Sequence, residues 1–313
     1  MGNHEAALHT LKTLDNAFSG KRHLQLGTIF VDLRQLGNAE MHLLSALQTC
    51  FEDACREPKY DYYGNQVKPQ SSSNSPLTDL TMLSASDRLN LLQQPTPGIL
   101  KCIELLAKLY YEKNEQETAD RYQKKYQMMF QHLYGEDSLL PEAAHGYFVL
   151  GRASHDSSQH MEAEQLYIKS LKIYQQIFGE GADHSAIALL YTEMGRNFWR
   201  TSNYAAAKRY LQMSLDMYRR LFGDNSNRAD IADALDILGG CVCDMKEYTK
   251  AEEYYRQSLE MRKRIHGEDS DHPEIAVLLN NLGNNYYNME EYTKAEEYYR
   301  QSLEMRKRIH GED

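Results

Sequence analysis

The chain has 313 residues, with 35 Lys and Arg against 45 Asp and Glu, and a net charge of −10 disfavours any broad attraction to nucleic acid. No stretch approaches the roughly 18 consecutive apolar residues that a membrane span requires, so no membrane insertion is expected. The five cysteines (Cys50, Cys55, Cys102, Cys241, Cys243) are odd in number and irregular in spacing, which excludes a disulfide framework and sets a reducing, cytoplasmic location as the expectation.

The first residues run directly into a helical pattern, with no secretory leader expected. Residues 3–19 read as the second helix of a pair whose first helix is missing, and 20–57 as a complete, shorter pair. Residues 1–57 are thus an N-terminal segment of one half unit and one unit. Residues 58–97 break the pattern. Pro58, Pro69, Pro76, Pro95, Pro97 and the run Ser71-Ser72-Ser73 predict an inserted, partly disordered loop with a short helix at 86–92.

From 98 to 313 one period takes over. Gly135-Glu136-Asp137, Gly179-Glu180, Gly223-Asp224, Gly267-Glu268-Asp269 and Gly311-Glu312-Asp313 recur every 44 residues, which predicts five long units. Residues 247–269 and 291–313 are identical throughout, a closer match than packing requires. Each unit carries a small residue in its first helix (Ala107, Gly151, Gly195, Gly239, Gly283). An alanine follows twelve positions later (Ala119, Ala163, Ala207, Ala251, Ala295), and Gly27 and Ala39 repeat the spacing in the shorter unit. Two helices approach closely only where neither projects bulk, so these positions read as notches. Apolar residues surround them at helical spacing, as in Leu279, Leu282 and Tyr286, then Tyr298, Tyr299 and Leu303. Tyrosines at such spacing predict inter-helix packing rather than a ligand box. Gly267 after Arg262-Lys263-Arg264 predicts a helix stop, and Pro273 with Glu274 a helix start. His266 and His310 beside the stops read as loop residues, and no metal site is expected.

With Leu279-Asn280-Asn281-Leu282-Gly283, Tyr292-x-x-Ala295-Glu296 and the hinge at 267–273, the chain resembles the long-repeat tetratricopeptide arrays of kinesin light chain and nephrocystin-3. The resemblance is close over 98–313 and loose over 1–57. It implies an all-α, right-handed tetratricopeptide superhelix that binds segments of other proteins. It also implies that first helices line a concave face, with positions three before, one after and five after the small residue pointing inward. On that register the groove candidates are Lys108, Arg152, Thr192, Arg196 and Arg200 with Trp199, and Asn280, Asn284 and Asn288 with Tyr287. Asp236, Gly240 and Asp244 fill the same places in the fourth unit.

Lys108, Arg152 and Arg196 share one position in three consecutive units, which predicts a row of cations roughly 10 Å apart. The row would receive acidic groups of an extended peptide, with Trp199 as apolar anchor. The alternative is that neighbouring Glu and Asp already occupy these arginines. Asparagine amides both donate and accept, which suits a peptide backbone. The expected function is therefore a non-enzymatic scaffold that binds a protein or peptide, with an acidic segment as candidate guest. The alternative is a regulatory or oligomerisation segment of a larger multidomain protein, and self-association through repeat ends is a further expectation. No cofactor and no catalytic residue is expected, since no phosphate loop, nucleophile elbow or His-Glu-x-x-His run occurs.

Overall fold

The computed structural model describes residues 23–25, 27–28, 30, 35–56, 59–60, 66–67, 79–92, 95–135, 138–224, 226–268 and 270–311. The helix read at 3–19 and most of the loop at 58–78 lie outside these residues. The chain divides into two compact units, Met1–Ser138 and Leu139–Asp313.

In the first unit, α1 (Leu36–Arg56) is followed by two short antiparallel strands, β1 (Lys59–Tyr60) and β2 (Gln66–Val67). A 3-10 turn (Leu80–Met82), α2 (Ala85–Leu91), α3 (Pro97–Glu112) and α4 (Gln116–Tyr134) complete it. The second half of the inserted segment is built into this unit. The Ser84 hydroxyl caps α2 by accepting from the Asp87 N–H. Leu80 and Leu92 are fully buried. Arg88, only 4% exposed, donates to the carbonyls of Leu80 and Leu83, each at 2.9 Å, and to the Tyr122 hydroxyl on α4. A buried guanidinium is tolerated because its donors are taken up in this way.

The second unit is a solenoid of four helix pairs: α5 (Pro141–Asp156) with α6 (His160–Phe178), α7 (Ser185–Arg200) with α8 (Tyr204–Phe222), α9 (Ala229–Asp244) with α10 (Tyr248–His266), and α11 (Pro273–Asn288) with α12 (Tyr292–His310). First helices have 16 residues and second helices 19. The notches act as the sequence spacing predicts. A Cβ on Gly151, Gly239 or Gly283 would come within 2.7 Å of the ring of Tyr167, Tyr255 or Tyr299, and on Gly195 within 2.6 Å of Leu211. The alanines twelve positions on are buried.

Two sets of hydrogen bonds repeat with the period. Within each pair a buried serine on the second helix donates to a carbonyl of the first: Ser170 to Ala144, Ser214 to Ala188, Ser258 to Ala232 and Ser302 to Ala276. Between pairs, the residue two after the notch glycine reaches back to the start of the preceding second helix. Asn197 donates to the His160 carbonyl at 2.9 Å, Cys241 to Tyr204 at 3.6 Å and Asn285 to Tyr248 at 3.0 Å. Side chains too short or too polar for a hydrophobic core thus fix the register of the stack.

Candidate peptide-binding groove

The first helices α7, α9 and α11 follow one another along the second unit and floor a groove of about 440 Å³. Trp199, near the end of α7, lines it. Its indole N–H donates to Asp244 Oδ2 at 2.7 Å. A Cβ on Gly240 would stand 2.6 Å from the indole, so the bare backbone of α9 is the shelf on which the ring rests. The Arg200 guanidinium lies 5.9 Å from the ring centroid, within cation–π range.

Carboxylates share the floor with the arginines. Arg196 pairs with Glu193 at 3.3 Å on the same helix, where Glu193 is nearly buried. Burial pushes the Asp156 carboxyl up, opposed by Arg152 and, more weakly, by Arg196. It pushes Asp233 up as well, against Arg262. Asp236 is raised by the same cause, even though Asn281 donates to it at 2.9 Å and Arg262 and Arg196 oppose the shift. In the second unit the predicted row is therefore Arg152 and Arg196 among acidic neighbours. Lys108 belongs to α3 of the first unit, where it is exposed and 3.9 Å from Glu112.

The asparagine face of α11 lines the groove through Asn281, Asn284 and Asn288. Asn284 is exposed and accepts from the Tyr299 hydroxyl at 2.7 Å, and Asn288 is exposed with its amide 3.6 Å from Cys243 Sγ. Tyr287 is 57% exposed and meets Tyr292 edge-on. Asn280 is partly buried on the same helix.

The tetratricopeptide repeat family model matches residues 142–227 and 230–308, together more than half of the chain. The chain is a tetratricopeptide-repeat protein. Solved structures agree on the fold. BtubC (BKLC) from P. vanneervenii is 18% identical, with 87% of this chain and 93% of that one covered at a TM-score of 0.58. The kinesin light chain-like repeats of Podosopora anserina are 17% identical over 68% of this chain and 98% of that one, at 0.51. A Rap protein complexed with Competence and Sporulation Factor is 12% identical over 91% and 65%, at 0.57. At these identities the likeness is one of fold. No curated protein matches the sequence. The family and its fold are those of a protein-interaction scaffold.

Thr192, read from the repeat register as a groove residue, is placed elsewhere in this tetratricopeptide array. It is 1% exposed, and its hydroxyl lies 2.7 Å from the Ser214 hydroxyl between α7 and α8. A short hydroxyl satisfied by its own helix pair has no reason to turn outward. His155 is likewise buried, against Asn197 Oδ1 at 3.0 Å. Asn281 and Cys243, which line the groove, fall outside the three-position register and escaped the sequence reading. Among the described residues one trio, His266, His272 and Glu274, brings ligand atoms within 4.8 Å of one another. Its groups already hold each other. The two imidazoles stack at 3.6 Å, His272 Nδ1 accepts from the Glu274 N–H, and Glu274 pairs with Arg262, which a metal would have to displace. No helix among the described residues is long and apolar enough to cross a membrane.

Proposed function

We propose that the second unit is an interaction scaffold that holds an extended peptide in the groove floored by α7, α9 and α11. The observation that carries this reading is Trp199 on its Gly240 shelf, flanked by Asn281, Asn284 and Asn288. An aromatic plate takes an apolar side chain of the guest, and amides along α11 take its backbone donors and acceptors. A Rap protein of the same fold complexed with Competence and Sporulation Factor supports the reading by analogy of fold.

An acidic guest remains part of the proposal, but at a different cation. Arg196 has Glu193 beside it and Arg152 has Asp156, so a carboxylate arriving there would compete with groups already in place. Arg200 is exposed and next to Trp199, and is the arginine to which a guest carboxylate would bind. The guest is therefore an extended segment with an apolar residue for Trp199 and an acidic residue beside it. Peptide-array selection on the full chain, followed by titration of the selected peptides, tests this. Trp199→Ala should lower affinity at least tenfold with the helix content unchanged, and Arg200→Glu should weaken only the acidic peptides. Selected peptides that bind both variants as well as the parent would end the reading.

A further inference from the structure

Two cysteines meet at the base of the inserted segment. Cys50 lies on α1, before the insertion, and Cys102 on α3, after it. Gly98, the second residue of α3, makes the room, since a Cβ there would stand 2.9 Å from Cys50 Sγ. Cys102 is one turn further along the same face of α3, and Cβ atoms so spaced are roughly 5–6 Å apart. The Cys50 sulfur is thereby brought against the Cys102 side chain, and the two free thiols share a hydrogen bond. A bridge needs Cα atoms within roughly 7 Å, and the bare backbone of Gly98 permits such an approach of α1 to α3.

The two thiols are not equivalent. Cys50 is partly exposed, whereas Cys102 is fully buried. The hydrogen bond from Cys102 holds the Cys50 thiol below its ordinary range, against burial and the charge of Asp53. The same bond, together with burial, pushes Cys102 well up. Thiolate character and access to solvent thus fall on one sulfur, which has its partner already in contact. Cys241 and Cys243 of the second unit are instead both raised by burial.

We propose that Cys50 and Cys102 are a reversible oxidation site, in which a hydroperoxide oxidises Cys50 and Cys102 then closes a disulfide between α1 and α3. The Cys50 thiolate attacks the terminal oxygen of the hydroperoxide. An S–O bond forms, the O–O bond breaks, and the leaving alkoxide takes up the thiol proton as an alcohol, or as water from hydrogen peroxide. The Cys102 sulfur then attacks the Cys50 sulfenic acid. An S–S bond replaces the S–O bond, and the departing hydroxide leaves with the Cys102 proton as water. The thiol pair loses two electrons and the hydroperoxide gains them. The bridge encloses residues 51–101 and so ties the insertion at its base, beside Gln48, which accepts from the Leu80 N–H at 2.7 Å. Closing a loop of this length restricts the unfolded chain and steadies the folded one.

This inference is independent of the groove. The full chain, reduced and freed of reductant, is treated with hydrogen peroxide, alkylated and digested without reduction. The peptide map should show Cys50 joined to Cys102, at least tenfold faster than Cys241 or Cys243 is lost, and dithiothreitol should restore both thiols. Amide exchange in α1 and over residues 79–92 should slow at least tenfold in the oxidised chain. In Cys102→Ala, dimedone should trap Cys50 as the sulfenic acid, and in Cys50→Ser the Cys102 thiol should survive the same dose. The map of the parent chain decides the matter even if a variant fails to fold. Cys50 and Cys102 left as thiols while other cysteines react, or bridges from either of them to Cys55 or to a second chain, would overturn the proposal.

Discussion

Trp199, Gly240 and Asp244 make one small machine from three residues. The glycine removes a Cβ that would collide with the indole, and the carboxylate fixes the ring by its N–H. Asp236, one turn before Gly240, adds a pH dependence of its own. Burial holds its carboxyl above the ordinary range, so the folded chain keeps this proton more firmly than the unfolded chain does. Charging the group then weakens the fold. That loss is absent below the unfolded value of about 3.9, and it grows as pH rises through the raised folded value. Asp236→Asn, which can still accept from Asn281, should raise the urea midpoint at pH 7, with the gain fading towards pH 3.5. A gain that is independent of pH would point to packing instead. At this scale the register read from the sequence finds Arg196, Trp199, Asn284, Tyr287 and Asn288 of the groove lining, because side-chain direction on a helix follows from position, whereas Asn280, Arg152 and Arg200, which it also points inward, are not on that lining. It misplaced Thr192, because direction also depends on partners, here Ser214 on another helix.

The elements owe their limits to two kinds of turn. Every second helix of the second unit ends at a glycine with positive φ (Gly179, Gly223, Gly267, Gly311), where L side chains are strained. The turns inside the pairs also take positive φ, here without glycine, at Ser158, Ser202, Lys246 and Glu290, with φ between 59 and 63°. The bond from the Glu291 N–H to the Tyr286 carbonyl at 2.9 Å closes this turn as a Schellman-type stop. Strain of this kind costs about 1–2 kcal/mol, and glycine recovers it less about 0.4–1 kcal/mol of unfolded-chain entropy. Glu290→Gly should therefore stabilise the chain by about 0.5–1 kcal/mol in urea unfolding, and a loss of stability would show that the turn is held by the side chain. The glycine stops were legible because they recur at a fixed interval. The inner turns were legible only as a short break between the notch and the following alanine, and their positive-φ residues were not, since Lys and Glu carry no turn signal. Helix α2 was legible as a short amphipathic run, whereas the burial of Arg88 was hidden because it depends on Tyr122, 34 residues away.

The whole molecule repeats one solution. A notch glycine, a buried serine and a side chain reaching back to the preceding pair recur along the second unit, and the groove is what remains on the side of the first helices. The period, the pair order and the all-helical class follow from composition and spacing. The balance of charge in the groove follows only in part: the Glu193–Arg196 pair lies three residues apart on one helix, whereas Asp233 and Asp236 of α9 come near Arg196 of α7 only after the helices stack. The chain has one tryptophan, and it lies in the groove, so its emission reports on that place alone. The most direct test is to titrate a selected peptide into the full chain while following Trp199 fluorescence. A saturable shift in emission whose midpoint matches the binding constant is expected, and it should be lost in the Asn284→Ala, Asn288→Ala double variant. Tight binding that leaves the emission of Trp199 unchanged would place the guest elsewhere and contradict the account.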